Sequence, residues 1–305
     1  MAHPPLRVIP YVDEAIAEAA RLILDGQTVA VPTETVYGLA ADATNPEAVA
    51  RIYAAKGRPS FNPLIVHVPD LSAARRLGSF DQTALALAAA HWPGPLTLVV
   101  PLAPDAGIAR LVTAGLPSIA LRVPAHPAMQ ALLAACARPL AAPSANASGR
   151  ISPTRAAHVA ASLGDRISLI IDGGATERGI ESTIVAATGG PLRLLRRGPI
   201  EIDAIFDDHT IEAPGQLASH YAPRKPLRVD ATEARKGEFL IGYGLIIGDT
   251  SLSPSGNPTE AAARLFDLLH MADAAPHPRI AIAPIPGPAL AAAIRDRLTR
   301  AAAPR

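Results

Sequence analysis

Polar residues that could bind an anionic substrate gather in four short segments of the chain. The segments are Pro32–Leu39 (PTETVYGL), Lys56–His67 (KGRPSFNPLIVH), Ala142–Thr154 (APSANASGRISPT) and Gly179–Val185 (GIESTIV). Each lies where a predicted strand or helix begins or ends, and open α/β sheets bind ligands at such ends. The segments supply cations, hydroxyls and amides, which stabilise negative charge. They therefore predict one polar site built from separated loops.

Lysine usage adds weight to one of these segments. The chain has 28 basic residues, of which only Lys56, Lys225 and Lys236 are lysines. The choice of lysine at position 56, beside Arg58, therefore indicates that a compact, point-like positive charge is needed there. Each residue taken singly also has an ordinary structural role. Lys56 could complement a helix dipole, and His67 on an apolar strand could be a core residue. Hydroxyls in turns commonly bond the backbone.

Several other kinds of chemistry are disfavoured by absent patterns. There is no G-x-x-x-x-G-K-[ST] segment, no G-x-S-x-G segment, and no H-E-x-x-H spacing among the nine histidines. Gly242, Gly244 and Gly248 do not fit G-x-G-x-x-G. The single cysteine, Cys136, can form neither an internal disulfide nor a cysteine zinc site, and it fits a reducing compartment.

Charge and hydropathy give broader expectations. With 28 basic and 27 acidic residues, the chain is not expected to work mainly by coating nucleic acid, although a local basic cavity remains compatible. The apolar stretch 129–142 is too short to span a bilayer, and Arg138 and Pro139 interrupt it. The first residues lack the features of a secretory signal. We expect a soluble cytoplasmic protein without membrane contact.

Alternating helical and strand patterns predict an α/β fold. Asp13 is predicted to be the N-cap of a helix that Gly26 ends, and further helices are predicted from Asn45-Pro46 to Gly57, from Ser152-Pro153 onward, and over 259–271 and 289–300. Strands are predicted over 28–31, 63–68, 96–100, 118–123, 167–171, 182–186, 192–195, 239–247 and 280–283. A polar, proline-containing stretch with no sustained period separates two units. It predicts domains over 1–206 and 228–305 with a linker at 207–227.

Taken in order, these motifs resemble the YrdC-like family. WPGPLT at 92–97, LRVPAHP at 121–127 and LLRRGP at 194–199 extend the match, and the C-terminal unit is similar to that of the two-domain threonylcarbamoyl-AMP synthases. The resemblance covers nearly the whole chain. It implies a YrdC-like twisted open mixed sheet with flanking helices, plus a small C-terminal Rossmann-like α/β domain.

The resemblance also implies an activity. It is that of a nucleotidyltransferase that converts L-threonine, bicarbonate or CO2 and ATP into threonylcarbamoyl-AMP and pyrophosphate. The product would pass to a separate tRNA threonylcarbamoyl transferase, for threonylcarbamoyladenosine modification of tRNA. Mg2+ would come bound to ATP, with no protein ligand assigned. The nucleophile is an anionic N-carboxylate, so a site of Lys, Arg, Ser and Asn without a strong general base suits the reaction.

Site residues follow from the resemblance alone. The catalytic group falls on Lys56, Arg58, Ser144 and Asn146. The threonine-binding residues are Thr35, His67, Arg122, Ala142 and Ser182. The ATP-binding residues are Lys56, Arg58, Asn62, Ser118, Ser144, Ser152, Arg196 and Tyr221, the last of which lies in an HYAP motif of the linker and is expected to cover the nucleotide. The chain departs from the family pattern at Arg196-Arg197, where arginine-proline is usual, and ahead of HYAP.

Three alternatives stay open at this point. A basic concavity of this fold could bind structured RNA without catalysis, although the balanced charge speaks against it. Other carbamoyl-transfer enzymes, such as hydrogenase-maturation proteins, contain a similar domain but need cysteine zinc fingers that a single cysteine cannot supply. The C-terminal unit could also be purely regulatory or structural.

Overall fold

A computed structural model describes residues 5–207 and 211–304. The strands are β1 (Arg7–Pro10), β2 (Val29–Val31), β3 (Gly38–Asp42), β4 (Ile65–His67), β5 (Leu96–Pro101), β6 (Ser118–Arg122), β7 (Leu140–Ala141), β8 (Leu169–Asp172), β9 (Thr183–Ala186), β10 (Arg193–Arg196), β11 (Ile205–Phe206), β12 (Leu227–Arg228), β13 (Glu238–Gly242), β14 (Thr250–Ser251) and β15 (Arg279–Ile282). The helices are α1 (Asp13–Leu24), α2 (Pro46–Lys56), α3 (Leu71–Leu77), α4 (Gln82–His91), α5 (Pro127–Cys136), α6 (Ala156–Leu163), α7 (Pro258–Ala274) and α8 (Leu290–Ala302).

The larger sheet has eleven strands in the order β1, β8, β2, β3, β7, β4, β6, β5, β9, β10, β11. It is mixed: β4 and β6 run parallel, whereas β5 and β6, and β2 and β3, run antiparallel. One apolar core lies between this sheet and α2, and a second lies beneath α1 and α5. Helices therefore cover both faces, as nearly fully buried strands require.

The C-terminal unit comprises a four-stranded sheet in the order β12, β15, β13, β14 with helices α7 and α8. All its strand pairs are parallel. Its core includes Val36, Ile151, Ile180 and Tyr221, which come from outside the unit. The C-terminal unit consequently packs directly against the segments that carry the predicted site.

Local sequence signals set several boundaries as predicted. The side chain of Asn45 accepts hydrogen bonds from the backbone N–H groups of Glu47 and Ala48, and Gly57 ends α2 with φ at 59°. An asparagine N-cap and a left-handed glycine after the last turn match the known preferences of helix ends. The prediction for this helix is confirmed.

Three boundary predictions are wrong. No helix begins at Ser152, because α6 starts at Ala156 and the Ser152 hydroxyl donates to Glu181 instead of capping a helix. Asp13 is the first residue of α1 and Val12 is its N-cap. The strand predicted over 239–247 ends at Gly242, because the backbone turns back at that point and Tyr243 bridges to Ile246.

Some elements were not predicted at all. They are α3, α4, α5, β1, β3, β7, β11, β12 and β14. The apolar stretch that was judged too short for a membrane contributes α5, and none of the helices in the described residues has the length and apolarity needed to cross a bilayer. The division into 1–206, 207–227 and 228–305 remains a prediction. Its residues 1–4, 208–210 and 305 lie outside the described part.

Candidate active site

The predicted segments meet around a small cavity of about 40 Å³. Its lining residues are Thr35, Val36, Arg58, Ile65, His67, Arg122, Ala142, Pro143, Ser144, Glu181, Arg196, Pro214, Gly215, His220 and Tyr221. Cavities that bind drug-sized ligands measure roughly 300–1,000 Å³. The cavity as the structure has it is therefore too small for ATP.

Neighbouring strand ends bring two of these residues side by side. His67 ends β4 and pairs in register with Arg122, which ends the parallel strand β6. A backbone bridge between Gly38 and Ser144 joins the PTETVYGL segment to the APSAN segment. A Cβ atom at Gly38 would lie 3.3 Å from the Cβ of Ala142, so glycine permits this close approach.

Lys56 organises the loop beside the cavity. Its Nζ donates to the carbonyl oxygens of Ser144 at 2.6 Å and Asn146 at 2.5 Å, and its own carbonyl accepts from the N–H of Ser148. Burial, and then the charges of Arg58 and Arg166, hold the pKa of Lys56 well below its usual range. Lys56 does not line the cavity. It fixes the backbone that presents Ser144.

Arg58 projects into the cavity and is held by the loop that follows it. Its Nε and Nη2 donate to the carbonyl and side-chain oxygens of Asn62 at 3.0 and 2.6 Å, and Nη2 also reaches the Pro63 carbonyl at 2.7 Å. Burial lowers the pKa of Arg58 to about 10. All of these partners are neutral, so the charge of Arg58 has no compensating anion among them.

A second arginine faces the other side of the cavity. Arg122 donates from Nη2 to Glu34 at 2.6 Å and from Nη1 to the Thr35 hydroxyl at 3.0 Å. Burial favours the neutral form of Glu34, but the Arg122 charge prevails and the pKa of Glu34 is lowered. Part of the guanidinium fork is therefore occupied by Glu34, which sequence reasoning had not placed in the site.

His67 is a neutral imidazole in this site. Burial, followed by repulsion from Arg122, lowers its pKa to about 3. Neither ring nitrogen has a hydrogen-bond partner among the described residues. A neutral imidazole offers one donor and one acceptor. His67 can thus form a hydrogen bond with a substrate hydroxyl or amine either as donor or as acceptor.

Arg196 and Ser182 form a third polar group. Arg196 donates from Nε to the Ser182 carbonyl and from Nη2 to its hydroxyl, both at 3.0 Å, and from Nη1 to the Pro214 carbonyl at 3.2 Å. The Ser182 hydroxyl also bonds Thr97 at 2.7 Å. Burial lowers the pKa of Arg196. Ser182 does not line the cavity and acts by holding Arg196.

Residues 214–221 close the cavity from one side. Tyr221 is 1% exposed, its ring stacks on Phe266 at 5.7 Å, and its hydroxyl has no partner among the described residues. The N–H of Ala222 donates to the Gly149 carbonyl. Gly215 lies at φ 94°, and a Cβ there would be 2.6 Å from the Tyr221 hydroxyl. Only glycine fits this close passage of the segment.

Most of the predicted site residues are brought together. Eight line the cavity: Thr35, Arg58, His67, Arg122, Ala142, Ser144, Arg196 and Tyr221. Five others hydrogen-bond to a lining residue: Lys56, Asn62, Asn146, Ser152 and Ser182. Ser118 does neither, because it begins β6 and lies about 13 Å along the strand from Arg122.

Sequence reasoning missed two carboxylates and a histidine. Glu34 and Glu181 lie inside the PTETVYGL and GIESTIV motifs, where a single acidic residue in a buried run was the available signal. Glu181 accepts from the Ser152 hydroxyl at 2.5 Å. His220 packs edge-on against Tyr221, and burial and then Arg58 and Lys56 hold its pKa well below its usual range.

No group of three or more His, Cys, Asp or Glu residues within 5–207 and 211–304 is arranged to hold a metal ion. The two carboxylates at the cavity, Glu34 and Glu181, are each paired with an arginine. Arginines outnumber carboxylates on the cavity wall. The site is therefore suited to anions such as phosphates and carboxylates.

Comparisons with known proteins agree with this geometry. A family model described as "Telomere recombination" matches residues 21–198, and one described as "Threonylcarbamoyl-AMP synthase, C-terminal domain" matches residues 180–303. The threonylcarbamoyl-AMP synthase of Bacillus subtilis is 45% identical over 75% of this chain and 70% of that protein. That of Pyrococcus abyssi is 44% identical over 67% of this chain and 64% of that protein.

A solved structure is similar over nearly the full length. The P. abyssi Sua5 structure complexed with L-threonine superposes with a TM-score of 0.89 at 34% identity, covering 98% of this chain and 97% of that one. The predicted fold, a mixed sheet with a small α/β unit, is confirmed. The chain belongs to the Sua5, YciO and YrdC family, in its two-domain form.

Proposed function

We propose that the chain is an L-threonylcarbamoyladenylate synthase, a nucleotidyltransferase that joins L-threonine, bicarbonate and ATP into threonylcarbamoyl-AMP and pyrophosphate. One observation carries the proposal beyond family membership. Among the described residues, eight buried side-chain atoms lack a hydrogen-bond partner, and six belong to five residues at this cavity. Those residues are Asn62, His67, Asn146, His220 and Tyr221. Buried polar atoms are rarely unpaired, so this clustering supports a site built around a polar ligand.

The reaction suits the charges of the cavity. Bicarbonate gives CO2 and hydroxide, and threonine's neutral amine adds to the CO2 and releases a proton that forms water with that hydroxide. One oxygen of the resulting N-carboxylate attacks the α-phosphorus of ATP. The new O–P bond forms as the bond from that phosphorus to the pyrophosphate oxygen breaks. Because the nucleophile is already anionic, the protein must offset repulsion between anions and needs no base at this step. Arg58, Arg122 and Arg196 supply that positive charge.

Threonine binding is assigned to the Arg122 side of the cavity. Glu34 and Thr35 take one N–H each from the ends of the Arg122 fork, which leaves an N–H on each terminal nitrogen for the substrate carboxylate. His67 lies next to Arg122 and would bond the threonine hydroxyl. Ala142 forms the wall between them and Ser144.

ATP binding is assigned to the Arg58 side. Arg58 and Arg196 would face the phosphates, with Ser144 presented by the loop that Lys56 fixes. Asn62 and Asn146 would orient these groups, and Ser152 would act through Glu181. Residues 214–221 must move for ATP to enter, and Tyr221 would then close over the nucleotide. In this proposal 207–227 is the linker that covers the site.

Magnesium is part of the proposal only as a companion of ATP. The paired carboxylates leave the ion to the phosphate oxygens, where it would neutralise phosphate charge. Delivery of the product to a separate tRNA transferase, with any RNA contact this involves, belongs to the same proposal. So does a cytoplasmic location.

A pyrophosphate-release assay tests the function. Release should require ATP, L-threonine and bicarbonate together, and should fall when threonine is replaced in turn by each other amino acid. A binding module for RNA would release none under any of these conditions. Release that is independent of the amino acid would reject the proposed reaction.

A further inference from the structure

Arg297 is the largest fully buried side chain among the described residues. It lies on α8 of the C-terminal unit. A buried guanidinium must be hydrogen-bonded to be tolerated. Each of the three guanidinium nitrogens of Arg297 donates a hydrogen bond of 2.8 Å: Nε to Glu181, Nη1 to Asp296, and Nη2 to the Arg197 carbonyl.

Arg297 also supports the residue that closes the cavity. Its guanidinium carbon lies 5.0 Å from the centre of the Tyr221 ring, within the range of a cation–π contact. Glu181 and Tyr221 line the cavity, and Arg197 follows the lining residue Arg196. One side chain of the C-terminal unit therefore touches three separate stretches of the cavity wall.

The pairing with Glu181 has an electrostatic consequence. A buried carboxylate beside a triphosphate would repel it strongly at low dielectric constant. One Glu181 oxygen accepts from Ser152 and the other from Arg297, so its charge is offset while it holds Ser152. Burial disfavours the charged form of Arg297, but Tyr221, Glu181 and Asp296 prevail and raise its pKa. Arg297 accordingly stays charged.

We propose that Arg297 is a positioning residue for the ATP half of the site, through which the C-terminal unit sets nucleotide affinity. It neutralises Glu181, fixes Ser152 through that carboxylate, and supports Tyr221 in the closed position. It is not itself part of the cavity lining. The assignment of an ATP half rests on the proposed function.

The test compares folded variants by calorimetric binding of a non-hydrolysable ATP analogue and of L-threonine. Arg297→Met should weaken nucleotide binding tenfold or more and change threonine binding less than twofold. Adding Glu181→Gln removes the repelling charge, so the double variant should regain part of the nucleotide affinity. It should remain weaker than the parent because Ser152 and Tyr221 are no longer held.

The matched control is Arg295→Met on the same helix. Arg295 donates to the carbonyls of Ile285 and Gly287, both within the C-terminal unit, so both affinities should be unchanged. Parental nucleotide affinity in folded Arg297→Met, or equal weakening of both ligands, would overturn the proposal. If Arg297→Met does not fold, the double variant decides: parental nucleotide affinity there overturns it.

Failure of the proposed function would look different. The parent protein would then bind the nucleotide analogue yet release no pyrophosphate with threonine and bicarbonate. The effect of Arg297→Met on nucleotide affinity would still be measured in that case, since binding is read without turnover.

Discussion

Tyr221→Phe should raise the stability of the free protein and lower its affinity for ATP. The Tyr221 hydroxyl is buried and has no hydrogen-bond partner among the described residues. An unsatisfied buried hydroxyl costs about 1–3 kcal/mol, so its removal should stabilise the free protein by about 1 kcal/mol. The phenyl ring keeps its contacts with Phe266 and Arg297.

The effect on ATP has the opposite sign. If the hydroxyl finds its partner on the nucleotide, losing that hydrogen bond costs about 1.5 kcal/mol, or roughly tenfold in affinity. Thermal unfolding of the free protein and calorimetric binding of a non-hydrolysable ATP analogue measure the two effects separately. Unchanged nucleotide affinity would refute the placement of this hydroxyl against ATP.

Tyr243→Phe is the matched control. Its hydroxyl donates to the Gly256 carbonyl at 2.5 Å within the C-terminal unit, away from the cavity. Removing it should therefore destabilise the protein by about 1 kcal/mol and leave nucleotide affinity unchanged. A stabilising effect in both variants would show that the unpaired state of the Tyr221 hydroxyl is not the cause.

Other variants and pH test the rest of the site. Arg58→Ala and Lys56→Ala should each lose most pyrophosphate release, on the order of a hundredfold, with far-ultraviolet circular dichroism unchanged; near-parental turnover in both would reject their assignment. His67 has a folded-state pKa of about 3 against an ordinary value near 6.5, so the unfolded chain binds the extra proton and stability should fall as pH drops from 6.5 toward 3. His67→Asn should flatten that slope, and an unaltered slope would contradict a buried neutral imidazole. Gly215→Ala should weaken nucleotide binding and loosen the linker, because its Cβ would clash with the Tyr221 hydroxyl and Arg196. Protease cleavage within 211–220 measures the loosening. Cleavage and affinity equal to those of the parent would show that the segment does not pass so close to Tyr221.

Local signals predicted the fold where they act over a few residues. Asn45, Pro46 and Gly57 fix the ends of α2 through capping and backbone conformation, and both ends are where the sequence predicts them. Ser152 carries the same kind of signal, yet its hydroxyl bonds Glu181, 29 residues away. A strong tertiary hydrogen bond overrides a local capping preference. Nothing near Ser152 in the sequence distinguishes the two outcomes.

The site was predictable in its members and less so in their connections. The motifs named most residues that line the cavity or contact its lining. The ion pairs could not be predicted from the sequence, because Glu34 and Arg122 are 88 residues apart and Glu181 and Arg297 are 116 residues apart. The tertiary structure determines which acidic residue pairs with which arginine. Ser118 lies at the start of β6, at the opposite end from Arg122, and its assignment to ATP stays a prediction.

The buried cations explain why such a site should bind anions well. Burial lowers the pKa values of Lys56, Arg58 and Arg196, and repulsion from neighbouring arginines lowers each further. The cavity thus carries an electrostatic cost, because the two carboxylates offset only part of its positive charge. A triphosphate supplies the missing negative charge, so closure over ATP removes repulsion as well as forming hydrogen bonds. The two carboxylates differ in this respect: Glu181 bonds Arg297 and Ser152, which lie outside the cavity lining, whereas Glu34 occupies one donor of the lining residue Arg122.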